Sequence, residues 1–396
     1  MTTTPGLHAD PTPGPAPAPA TTAAPVSGPR RTDECPPDHG LERLGVGTLG
    51  WIGRHLDRFD PFTPGRGAAA SPDPGAAHRP AKAALELALL THCWTRLGPG
   101  DDPRRAEATA RVRGIWQHPG FPRLLTAEPR GATQYRLACA ALAPAGTEDA
   151  PFRAGLARLT AADLAAAGRS PYQRLELRYY ADKAGVAHTI ESYEELARRN
   201  VLVALPATAL ARARRREVLD SRGALDKQGT QRARDARSPQ DIQDTQGTQG
   251  TQDTPGPGPD EPPVTVPEAY ALTHSAFYLS DFARTGPGLP DGAVADAAAL
   301  TGRLLDHSVR HDWWDLTAEL VMTQVCLGLD AAATPEGAAA IACLSGAQRP
   351  DGSIPGRSAA TRASTADPAA EYFAKAYHTT LVTALMTLLL VAGSTS

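Results

Sequence analysis

The chain has 396 residues, with 40 basic and 43 acidic side chains and a formal net charge of −3. A balance this close to neutral excludes the long-range field of a nucleic-acid or membrane-surface binder. At 5% aromatic and 41% hydrophobic residues, with 36 glycines and 37 prolines, the apolar content must be concentrated in segments to make a core.

Residues 1–30 hold eight prolines, no aromatic side chain and only Leu7 and Val26 as large aliphatics. Such a stretch cannot bury enough apolar surface to offset ordering its backbone, so a disordered tail is expected over 1–36. Leu41, Leu44, Thr48, Ile52, His55 and Phe59 then recur at spacings of three and four, which predicts one face of a helix. Pro64–Pro80 reads as a Pro/Gly/Ala loop, and Ala81–Leu97, apolar nearly all round, as a buried helix. Further helices are predicted over 104–117, 131–143 and 151–167. Ser170-Pro171-Tyr172-Gln173 combines an N-cap serine, proline at the first helical position and a capping-box glutamine. Ser192 with Glu195 forms a second box, with Thr189 as an alternative cap one turn earlier. A helix over 207–220 leads into a linker expected to be disordered over 221–264, of which residues 221–263 hold six prolines, six glycines and seven glutamines against Leu225 and Ile242. Its Thr-Gln-Gly repeat, from Asp244 to Pro255, has a spacer composition.

Beyond the linker, Thr265 and Glu268 box the start of a helix expected to run to about Phe282. Helices over 292–310 and 312–329 follow, then one opened by Thr334-Pro335 that reaches about Ala347, and a last over 372–392. The longest near-continuous apolar run, Leu381–Ala392, falls short of the roughly 20 residues of a spanning helix and reads as a core segment. No segment alternates at period two, so the class is all-α: an α/α toroid or stacked helical hairpins of about thirteen helices. The organisation is a tail (1–36), a helical half (37–220), a linker (221–264) and a second helical half with the candidate pocket (265–394). The linker reads as an insertion in one ring, because loop closure grows costly only slowly with length.

Five scattered cysteines (Cys35, Cys93, Cys139, Cys326, Cys343) without a C-x-x-C pair read as reduced thiols of a cytoplasmic protein. The N-terminus lacks the basic and apolar regions of a secretory signal, so none is expected.

Gln348-Arg-Pro-Asp351-Gly352-Ser353, followed some twenty residues later by Tyr377-His378-Thr379-Thr380, resembles the repeat of α/α-toroid proteins. Terpenoid cyclases and protein prenyltransferase β subunits belong to that superfamily. The resemblance implies a Q-x-x-D-G turn between an outer and an inner helix, with the inner helix lining a central cavity. Locally, Gly352 permits a left-handed backbone, Asp351 can bond the turn's own amides, and Gln348 can bridge to a neighbouring helix. The acid, magnesium and zinc motifs of those relatives are absent, and Asp101-Asp102-Pro-Arg-Arg is no substitute. A second resemblance covers most of the folded length. Leu272-Thr273-His274, Phe277-Tyr278, Asp281-Phe282, Asp315-Leu316, Glu319-Leu320 and Tyr377-His-Thr-Thr-Leu381-Val382 look like an uncharacterised actinobacterial (Streptomyces-type) family, which carries over no activity.

Polar residues on apolar helices mark where chemistry is expected, because each costs free energy unless satisfied. His274, Tyr278 and Asp281 share a helix face at i, i+4, i+7, and Asp315 and Glu319 are i, i+4 on another. His378 enters the apolar last helix. Inward-pointing helices would gather His274, Asp281, Asp315, Glu319 and His378 into a pocket suited to acid–base chemistry or one divalent metal. The bland alternative has each of them capping or bridging neighbouring helices. No H-x-x-x-H or H-E-x-x-H spacing assigns a metal, so metal and cofactor stay unknown. Tyr172, Tyr179 and Tyr180 are further candidates to face the cavity. Trp313-Trp314 reads as packing, Cys326 and Cys343 as core thiols, and the arginines between 212 and 216 as a solvated helix end favoured by the dipole. Two functions fit: a scaffold or binding protein for a small molecule or peptide, or an enzyme of specialised metabolism using the His/Asp/Glu pocket. Neither involves nucleic acid or membrane, and the oligomeric state is left open.

Overall fold

The computed structural model describes residues 37–63, 74–98, 100–121, 132–148, 150–165, 168–215, 262–356 and 368–393. The proline-rich tail and most of the linker lie outside the described residues. Those that are described form helices and turns, with no strand among them. In chain order the helices are α1 (Pro37–Arg54), α2 (Leu56–Phe59), α3 (Pro74–Leu97), α4 (Pro103–Gln117), α5 (Ala132–Ala141), α6 (Ala150–Leu156) and α7 (Pro171–Ala184). Then come α8 (Tyr193–Arg198), α9 (201–215), α10 (Val266–Leu279), α11 (Ala293–Arg310), α12 (Trp314–Cys326), α13 (Pro335–Ala347) and α14 (Pro368–Gly393).

The helix starts follow the local chemistry of the chain. All three capping boxes form: Ser170 with Gln173, Ser192 with Glu195, and Thr265 with Glu268 each exchange side-chain and backbone hydrogen bonds. Ser192, not Thr189, caps α8. Asp102 accepts from the Arg104 amide at 2.9 Å and so caps α4. Several boundaries differ from the sequence reading, among them that of α9, predicted from 207 and observed from 201. Helix α3 starts at Pro74, inside the stretch read as loop, because a proline suits the first helical turn. The segment predicted as 151–167 is helical only to Leu156. Helix α10 stops at Leu279 instead of about Phe282, since Asp281, Phe282 and Ala283 all take left-handed φ values of 49°, 55° and 63°.

Six helices pack in a closed cycle. Helix α3 touches α5, α5 touches α7, α7 touches α10, α10 touches α12, α12 touches α14, and α14 returns to α3. Further helices pack against members of this cycle: α2 and α4 on α3, α6 on α5, α8 on α7, α11 and α13 on α12, and α1 on α14. The first and last described helices therefore meet, and three members of the cycle come from each side of the linker. Arg212 near the end of α9 forks onto Glu268 at the start of α10, with N–O distances of 3.1 and 3.3 Å, so an ion pair ties the two helices that flank the linker.

The Q-x-x-D-G turn seats α13 against α1. Gln348 Nε2 donates to the Leu44 carbonyl at 3.2 Å, and the Ser353 amide donates to Asp351 at 3.0 Å. Gly352 has φ +89°, and a Cβ there would lie 2.1 Å from the Gly47 carbonyl oxygen, so only glycine fits. Helix α14 as a whole is long and apolar enough to cross a membrane, although its densest apolar run is not. It is an interior member of the cycle, packed by α1, α3 and α12, with Ala376, Leu381, Ala384, Met386 and Leu389 buried.

Candidate functional site

A cavity of about 230 Å³ lies within the cycle and takes side chains from all six of its helices. Helical spacing dictates which ones. On α3, Lys82, Leu85, Glu86 and Leu89 fall on one face at i, i+3, i+4, i+7. On α14, His378, Leu381, Val382 and Leu385 repeat that pattern. Helix α5 adds Gln134, Tyr135 and Ala138, α7 adds Glu176 and Tyr180, α10 adds His274, Phe277 and Tyr278, and α12 adds Glu319 and Met322. The wall is mixed, with aliphatic and aromatic surface interrupted by six ionisable groups.

These groups pair across helix boundaries. Within α3, Lys82 Nζ lies 2.5 Å from Glu86 Oε1, and across from α14 His378 Nδ1 lies 3.1 Å from the same oxygen. The His378 contact has ion-pair distance without hydrogen-bond alignment, so its buried Nδ1 is left without a hydrogen bond, as is Oε2 of Glu86. Burial alone would raise the Glu86 carboxyl, but His378 and Lys82 beside it bring it down to about 2. Burial works against charge on His378 as well, and Glu86 outweighs it and holds the ring above its ordinary range.

Across α10 and α12, fully buried Glu319 accepts from Thr273 Oγ1 at 2.6 Å, and its Oε2 lies 3.7 Å from His274 Nε2. Against the cost of burial, Glu319 raises the His274 pKa, while His274 and Thr273 lower that of Glu319. The third carboxyl behaves in the opposite way. Glu176 receives Tyr278 Oη at 2.8 Å, yet burial dominates and lifts its pKa. The cavity thus holds two ionised carboxylates, each beside a histidine biased toward its cation, a lysine, and a carboxyl biased toward its neutral form.

Of the residues singled out in the sequence, His274, Glu319 and His378 meet in this cavity, with Tyr180 and Tyr278. Asp281 and Asp315 are placed elsewhere. Tyr270 Oη donates to Asp315 at 2.7 Å, one helical turn from the bond between Thr273 and Glu319, so separate partners on α10 hold the two carboxylates apart. Asp281 follows α10 and gathers four donors: Arg96 at 2.5 and 3.1 Å, Tyr179 Oη at 2.8 Å, Lys183 at 2.9 Å and Arg284 at 3.5 Å. Burial notwithstanding, Arg96, Lys183 and Tyr179 hold its carboxyl far below the usual range. Arg96 and Lys183 stand in the last turns of α3 and α7, so Asp281 draws three helix ends together, and the next residue, Phe282, lines the cavity.

Sequence reasoning placed the pocket in the second half and missed Lys82, Glu86, Gln134, Tyr135 and Glu176. One signal was available. Lys82 and Glu86 are an i, i+4 pair on a helix apolar nearly all round, in a chain where lysine occurs only at 82, 183, 227 and 375. Each of the three described lysines is ion-paired, Lys183 with Asp281 and Lys375 with Glu371. Among the described residues, no three His, Cys, Asp or Glu side chains converge to hold a metal ion. Cys93, Cys139 and Cys326 are buried and free, and burial pushes Cys326 up to about 12. Cys343, also free, is only partly buried.

The chain matches no curated protein and no solved structure. The sequence profile of a domain of unknown function, DUF6895, matches residues 45–215 and 252–388, both sides of the linker.

Proposed function

The chain belongs to the DUF6895 family, and on that premise we propose that it is a binding protein of α/α-toroid architecture whose central cavity receives a small molecule. The observation that carries this reading is a void of about 230 Å³, lined by Lys82, Glu86, Glu176, His274, Glu319 and His378 among apolar side chains. Close packing normally eliminates such space, and a void of about 150 Å³ already holds a benzene-sized ligand. The volume lies below the roughly 300–1,000 Å³ of pockets for drug-sized molecules, which favours a compact ligand over a peptide. The buried free thiols are in keeping with a reducing compartment, and a cytoplasmic setting is part of the proposal.

The test is thermal unfolding of the full chain against a panel of compounds near benzene in size. A cavity ligand at a hundredfold excess over its Kd should raise the midpoint by on the order of 5 °C. The shift should vanish in Ala138→Phe, which fills the void from α5 and keeps the helical far-UV signal. A panel without any shift, or a shift that survives Ala138→Phe, would defeat the reading.

The His274–Glu319 and His378–Glu86 pairs favour a second reading. A carboxylate beside an imidazole is the arrangement that general acid–base catalysis uses. Chemical conversion of a compound that shifts the midpoint would favour this enzymatic reading over binding alone.

A further inference from the structure

Within the cavity, two polar atoms are buried without a hydrogen bond: Oε2 of Glu86 and Nδ1 of His378. They belong to neighbouring groups, because that Nδ1 is 3.1 Å from the other Glu86 oxygen. A buried carboxylate oxygen with no donor is costly, and Glu86 and His378 both line the void. The groups already beside Glu86, Lys82 and His378, both stand on its Oε1, and Oε2, on a residue that lines the cavity, has no donor.

The surroundings restrict what that ligand can be. An ammonium group would join Lys82 and a His378 ring that Glu86 biases toward its cation, and both would repel it. A carboxylate or phosphate would stand beside the ionised Glu86 and Glu319. Either charge would also have to shed its hydration in a cavity whose remaining wall includes Leu85, Leu89, Phe277, Phe282, Met322 and Leu385. A group that merely accepts, such as a ketone, leaves Oε2 unsatisfied. A hydroxyl donates its proton to Oε2 and offers its lone pairs to an imidazolium N–H, so one uncharged group can satisfy both atoms.

Resting on the reading of the cavity as a binding site, we propose that its ligand is an uncharged alcohol or phenol, with its hydroxyl on Glu86 and His378 and an apolar body against the aliphatic and aromatic wall. The preferred ligand is then amphipathic and electrically neutral despite the six ionisable groups around it.

The experiment is calorimetric titration of the full chain with four probes of one size: benzyl alcohol, toluene, benzylamine and benzoate. Benzyl alcohol is expected to bind about tenfold or more tighter than toluene, the equivalent of one hydrogen bond to a charged group. Benzylamine and benzoate are expected to bind more weakly than toluene. In Glu86→Gln, the advantage of the alcohol over toluene should shrink severalfold, with toluene affinity kept. The ranking of the four probes on the unaltered chain decides the matter even if that variant folds poorly. Equal affinities for benzyl alcohol and toluene, both lost in Ala138→Phe, would overturn the hydroxyl inference and leave the binding reading standing. The tightest binding by benzylamine or benzoate would overturn it in favour of a charged ligand. Binding of none of the four would remove the inference and count against the cavity as a site.

Discussion

Two ionic clusters stand close together and differ in how their hydrogen bonds are completed. Around Asp281, both carboxylate oxygens are taken up by donors from three elements: Arg96, Tyr179 with Lys183, and Arg284. Around Glu86, one oxygen carries both partners, the other has no hydrogen bond, and the residue lines a void. The difference separates a group that holds the fold from a group held by it. Asp281 sits in a turn that the chain resists, since three consecutive non-glycine residues in the left-handed region cost roughly 1–2 kcal/mol each. Its closed set of donors offsets that strain and sets Phe282 into the cavity wall. The open set around Glu86 holds no comparable turn.

The comparison is broken most forcefully at Asp281. Asp281→Ala would strand Arg96 and Lys183 beside each other, remove the acceptor of Tyr179 and release the left-handed turn. Loss of one member of such a largely buried network should cost about 3 kcal/mol or more, read as a lower denaturant midpoint with little change in slope. A change below about 1 kcal/mol would show that the cluster is ornamental and that the turn is held by Phe282 packing alone.

Proton linkage sharpens the contrast without any substitution. Asp281 and Glu86 both have depressed folded pKa values, the latter at about 2, so both stabilise above their ordinary range near pH 4 and lose that contribution as pH falls below it. Acid therefore weakens both clusters. His274 and His378 are raised above 6.5, so their contribution is complete below pH 6.5 and is lost as pH rises through their folded values. No histidine of that kind serves the Asp281 cluster, where burial, Arg96 and Lys183 push His92 down to about 4. Stability should accordingly decline as pH rises above 6.5, and the decline should disappear in a His274→Gln/His378→Gln chain. A flat profile in the unaltered protein, or the same slope in the double variant, would place the titration elsewhere.

How much of this was legible in the sequence depended on the range of the interaction. Caps are contacts within four residues, and Ser170, Ser192, Thr265 and Thr334 could all be read directly. The Q-x-x-D-G turn could be read for the same reason. The end of α10 could not, because Asp281 tolerates a left-handed backbone but nothing local demands that Phe282 and Ala283 follow. That demand comes from Arg96 and Lys183, 185 and 98 residues away along the chain. The first-half contribution to the cavity was hidden likewise. Lys82 with Glu86 matches a surface ion pair at i, i+4 until α14 brings His378 to the same oxygen. His274, Glu319 and His378 stood out because each interrupts a strongly apolar helix.

The smallest effect is expected at Asp315, and it tests whether helical spacing alone creates a site. Asp315 and Glu319 lie on one face of α12, a pattern that suggests two carboxylates sharing a proton or a cation. Their partners divide them: Tyr270 donates to Asp315 at 2.7 Å, and Thr273 donates to Glu319 at 2.6 Å. Asparagine at 315 keeps an oxygen for the Tyr270 hydroxyl and removes only the charge. Asp315→Asn should therefore change stability by no more than about 0.5 kcal/mol and leave the affinity of any cavity ligand unaltered. A tenfold loss of ligand affinity in that variant would mean that Asp315 acts on Glu319 through α12, and the cavity would then have to be drawn to include it.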